Sequence, residues 1–73
     1  MRLEINDGDE TIRIIGAVVI RTLPAGDVRV DFGPADGPPM VSFTMNSETA
    51  RGLAGSIKSV ADGGDETVLI VDD

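Results

Sequence analysis

The chain has 73 residues and carries nine Asp and four Glu against five Arg and one Lys, a formal charge of −7, with no His, Cys, Trp or Tyr. That balance repels phosphate and argues against direct nucleic-acid binding, and the lack of cysteine leaves neither a disulfide framework nor a thiolate metal site. Without His or Cys there is no ready general base near neutral pH and no thiol nucleophile, so the chain reads as a non-enzyme with no cofactor and no metal.

Arg2 to Asn6 alternates, with Leu3 and Ile5 on one side and Arg2 and Glu4 on the other, and the Asn6, Asp7, Gly8, Asp9 cluster signals a hairpin turn. Thr11 to Leu23 reads as a long second strand in which Ile12, Ile14, Val18 and Ile20 share one parity and Ile15, Ala17 and Val19 the other. Gly16 within it is a position for a bulge that would shift the parity partway along; without a bulge, Ile15, Ala17 and Val19 form an apolar patch on the sheet face away from the helix. After a turn at Pro24, Ala25 and Gly26, Val28, Val30 and Phe32 alternate with Arg29 and Asp31 in a half-buried third strand.

Residues 33 to 39 hold three prolines and two glycines and form an exposed loop. Met40 to Met45 follows as a fourth strand, with Val41, Phe43 and Met45 facing in. From Asn46 to Asp62, the apolar residues Ala50, Leu53, Ala54, Ile57, Val60 and Ala61 recur at helical spacing. Asn46 and Ser47 cap the start, Glu48 complements the helix dipole, and Gly63 and Gly64 supply the stop. Thr67 to Val71 then gives a short fifth strand.

Short links favour antiparallel neighbours in sequence order. The expected fold is one α+β domain over residues 1–73: a mostly antiparallel five-stranded sheet, a β-meander of order 4-3-2-1-5, with the helix at about 46–62 packed on one face. The alternative sets the fifth strand parallel to the fourth through a right-handed crossover. In either case the turns at residues 6–10, 33–39 and 62–66 share one end of the sheet. Asp7, Asp9, Glu10, Asp36, Asp62, Asp65 and Glu66 would then gather as an acidic pole.

Such a pole could present carboxylates to a basic protein surface, and the functional expectation is a small acidic interaction module that binds a protein partner. An alternative is an acidic inhibitor that mimics phosphate toward a nucleic-acid-binding protein. Another is a ligand-sequestering oligomer with its pocket between chains, built on the glycine stripe or the proline loop. The pole matches no twelve-residue calcium loop.

At this length only about 60% of the unfolded surface is buried on folding, so self-association is expected as a source of further burial. Two surfaces are candidates for it: the apolar patch of Ile15, Ala17 and Val19 on the far sheet face, and the helix stripe of Gly52, Gly55, Ser56 and Ser59. No apolar run reaches the length of a membrane span, and Met1 leads directly into a strand pattern, so a cytoplasmic protein without membrane partners is expected.

Overall fold

The helix forms where its capping residues place it. In the computed structural model, which describes residues 1–72, α1 spans Ser47–Ala61. Asn46 stands before it in extended conformation, and its side-chain oxygen accepts a hydrogen bond from the Thr49 amide at 2.7 Å. At the other end Lys58 pairs with Asp62 at 2.6 Å, and Gly63 turns the chain away at φ +126°. The amides of Gly63 and Gly64 donate back to the carbonyls of Val60 and Ser59, each at 3.2 Å, closing the last turn. Asn46→Ala removes the cap, and we expect it to cost about 1 kcal/mol of stability, read as a lower denaturant midpoint with fraying at Ser47 and Glu48.

The α+β class holds, but the strands build two separate sheets in place of the expected single sheet. β1 (Glu4–Asp7) and β2 (Glu10–Arg13) form an antiparallel hairpin through the two-residue loop Gly8–Asp9. The amide of Ile14 extends that ladder by donating to the Leu3 carbonyl at 2.9 Å. β3 (Ala17–Thr22), β4 (Val28–Gly33) and β5 (Val41–Met45) form a three-stranded antiparallel meander with β4 in the middle.

The order 4-3-2-1-5 is therefore incorrect, and Gly16 supplies the reason. The expected long strand from Thr11 to Leu23 is interrupted at Ile14–Gly16, so its halves belong to different sheets. Gly16 has φ +145°, a backbone shape that side chains rarely adopt. A Cβ there would collide with the Gly33 carbonyl oxygen and approach Pro34 Cα to 2.8 Å. The glycine acts as a break between two sheets, not as a bulge within one strand.

The fifth strand is also absent: residues 64–72 join no sheet, neither beside the first strand nor beside the fourth. Instead Leu69 lies against the helix, its Cδ1 3.5 Å from where a Cβ on Gly52 would sit. Gly52 thus leaves room for the tail of its own chain.

The helix does not cover the sheet as expected. No residue of α1 is buried, and extensive packing between elements is confined to the hairpin and the three-stranded sheet. Among the described residues only Asp31 and Gly33 are buried, and no apolar side chain is. The radius of gyration is 13.6 Å, against about 11 Å for a compact chain of this length.

Candidate interaction surface

The register of the three-stranded sheet sorts its side chains into two faces of opposite character. Val18 stands opposite Phe32 and Phe32 opposite Val41; Ile20, Val30 and Phe43 form the next row, and Thr22, Val28 and Met45 the third. Because paired residues point to the same side of a sheet, these nine share one face, and eight of them are apolar. Phe32 and Phe43 meet edge to face with ring centroids 5.7 Å apart. This face is open to solvent: Ile20 is 68% exposed and Phe43 52%.

The opposite face is polar and held together by Asp31. Its carboxylate accepts hydrogen bonds from the Ser42 hydroxyl on β5 at 2.6 Å and from Arg29 Nε on its own strand at 2.7 Å. Arg21 on β3 approaches at 3.4 Å, so the group ties all three strands together. The proline loop closes over the same side, and Ala17, Val19, Asp31, Gly33, Pro34 and Pro39 line a cleft of about 90 Å³. That space suits water more than a substrate.

The Ser42 hydrogen bond first, then that of Arg29, holds the Asp31 carboxyl below the usual carboxylate range, while burial opposes them. A carboxylate lowered on folding contributes stability above its unfolded pKa, and the contribution is lost as pH falls through the folded value. Unfolding should therefore become easier below about pH 4, where free Asp titrates. Ser42→Ala removes the largest cause, and a carboxyl NMR titration should then find the Asp31 pKa raised and the acid midpoint moved to higher pH.

The helix carries the second open apolar surface. Leu53 is 37% exposed and Ile57 61%, and with Ser56, Val60, Ala61, Thr67 and Leu69 they border a shallow groove between the helix and the tail. Of the small-residue stripe, Gly52 and Ser56 lie toward the tail, whereas a Cβ on Gly55 would meet nothing within 4 Å. Ser59 is exposed.

The patch of Ile15, Ala17 and Val19 does not form one continuous face. Ile15 lies in the connection between the sheets, 80% exposed, and lines a cleft of about 430 Å³ with Leu3, Ile14, Ala17 and Val18. Val19 belongs to the polar face, opposite Asp31.

The seven acidic residues are all exposed but occupy three separate segments. Asp7 and Glu10 form the closing pair of the hairpin with Asp9 in its turn, Asp36 is in the proline loop, and Asp62, Asp65 and Glu66 lie at the helix end and beyond it. Their gathering at one end followed from a single sheet and loses that basis with two. Among the described residues no three acidic side chains approach closely enough to hold a metal ion.

Sequence reasoning identified the residues of the apolar face and missed two features: its openness and the Asp31 cluster. The signal for the cluster was present, since Arg29, Asp31 and Ser42 all fall on the outward parity of their strands. Comparison with known proteins returns no match, whether to a family model, to a curated protein or to a solved structure.

Proposed function

We propose that the chain is a non-enzymatic interaction module that works as a homo-oligomer, using association to complete a core that one copy lacks. The observation that carries this reading is the surface area. One copy exposes 6048 Å², whereas a folded chain of 7.6 kDa exposes about 4,300 Å². The excess is about 1,700 Å² per copy, and two copies burying it would fall within the roughly 2,000–5,000 Å² of obligate homodimers.

The excess is apolar at the places that matter. Val18, Ile20 and Phe43 of the apolar sheet face and Leu53 and Ile57 of the helix are exposed, and their neighbours Val28, Val30, Phe32, Val41 and Met45 are only half-buried, which is the arrangement that marks an association surface in a small protein. Sedimentation equilibrium over a wide dilution series tests the reading. We expect a mass of two or more copies down to low micromolar concentration, with unfolding midpoints that rise with protein concentration. A monomer mass throughout, together with a cooperative and concentration-independent transition, would overturn it.

A further inference from the structure

We propose that the open face of the three-stranded sheet is covered by the helix of a second copy of this chain, and that the exchange is reciprocal, so that a two-fold dimer buries both sheets and both helices. This rests on the self-association reading above and adds the identity of the occupant.

Three observations lead to it. The sheet face of Val18, Ile20, Val30, Phe32, Val41 and Phe43 is apolar and uncovered, whereas the reverse face is polar and carries the Asp31 cluster and the proline loop. The helix is amphipathic yet buries no residue, so one chain holds two unfilled apolar surfaces. A sheet face and a helix stripe form a standard pair of layers, and a two-fold axis satisfies both surfaces with one contact made twice.

The dimensions match. A helix of 15 residues is about 22 Å long, and strands of five or six residues run about 16 to 20 Å. Three strands are about 10 Å wide, which is the diameter of one helix with its side chains. Sheet packed against sheet would bury the strands but leave both helix stripes in water. The excess of about 1,700 Å² per copy over a normal monomer, to which Ile15 and the tail residues Val68, Ile70 and Val71 also contribute, is large enough for a contact that covers both surfaces.

Nuclear Overhauser spectra of a mixed dimer, one copy carbon-13 labelled and the other unlabelled, test the arrangement directly. We expect cross-peaks between copies joining Leu53 and Ile57 methyls to Ile20 and Phe43. A dimer whose inter-copy cross-peaks join sheet to sheet only, or that lacks helix-to-sheet peaks between copies, overturns the exchange and leaves self-association standing. A monomer at every concentration removes both.

A variant pair adds an independent reading. Ile57 is largely exposed in the single chain, so Ile57→Ser should leave each copy folded while weakening the dimer at least about tenfold. Gly55→Ala, on the opposite side of the helix where a Cβ meets nothing, should leave dimer affinity unchanged. Equal affinity for Ile57→Ser and the parent chain would overturn the proposal, as would loss of the dimer in Gly55→Ala alone.

Discussion

Ile20→Asp should convert the assembly to monomers and remove about 3 kcal/mol or more of stability per copy, making it the most damaging single change on the sheet. In an isolated chain the same change would be minor. Ile20 is 68% exposed there, and surface substitutions usually fall within about 0.5 kcal/mol. The effect is large only if a second copy lies against the face, because the new carboxylate would then be buried without a partner. Thr44→Asp is the matched control, since it places the same charge on an exposed position of the reverse face, opposite Arg29. Denaturant midpoints and sedimentation masses of the two variants should differ sharply. A loss below about 0.5 kcal/mol in Ile20→Asp with the oligomer intact would locate the association surface elsewhere.

The mismatch between expectation and structure falls where local pattern gives way to tertiary arrangement. The alternation of Val28, Val30 and Phe32 with Arg29 and Asp31 identifies both faces of β4 from the sequence, since period two is a property of the strand itself. The limits of α1 are equally local, set by the Asn46 cap and the turn at Gly63. Which surface the helix covers is not a local matter. An amphipathic stripe states that something apolar must lie against it, and the stripe reads the same whether that partner is in its own chain or in another copy. The strand pattern of Thr67 to Val71 is ambiguous in a similar way. The apolar run of Val68 to Val71 fits a strand, but Leu69 finds the side of the helix at Gly52 instead.

The acidic residues show how one tertiary error propagates. Each lies in or directly beside the turn, loop or helix end that the sequence indicates, yet their meeting at one pole depended on a continuous strand across Gly16. Asp31, by contrast, shows in the sequence only the outward parity of its strand. Its ties to Ser42 and Arg21 required the register of three strands, which alternation alone does not supply.

Gly16→Ala should cost about 3 kcal/mol or more, far above the usual effect of adding one methyl group to a loop. Two penalties act together. The backbone there has φ +145°, and the new Cβ would collide with the Gly33 carbonyl oxygen and crowd Pro34 Cα, both of them backbone atoms with little freedom to move. Gly33 is itself buried and close-packed, with a Cβ at that position meeting the Met40 amide nitrogen at 2.9 Å, so the strain cannot pass easily to the next strand. Relief would require β3 to shift from β4 at the Ala17–Gly33 pair, which opens the end of the sheet and disturbs the apolar row of Val18, Phe32 and Val41 beside it. The variant should therefore lose assembly as well as stability, although Gly16 itself contributes no apolar surface. Ile15→Ala, one residue earlier and 80% exposed, should change stability by no more than about 0.5 kcal/mol. Parallel denaturation curves for these two variants would show whether the break between the sheets is held by the shape of one backbone position. Equal and small losses would mean that the chain crosses residue 16 in another conformation, with β2 and β3 free to join as one strand.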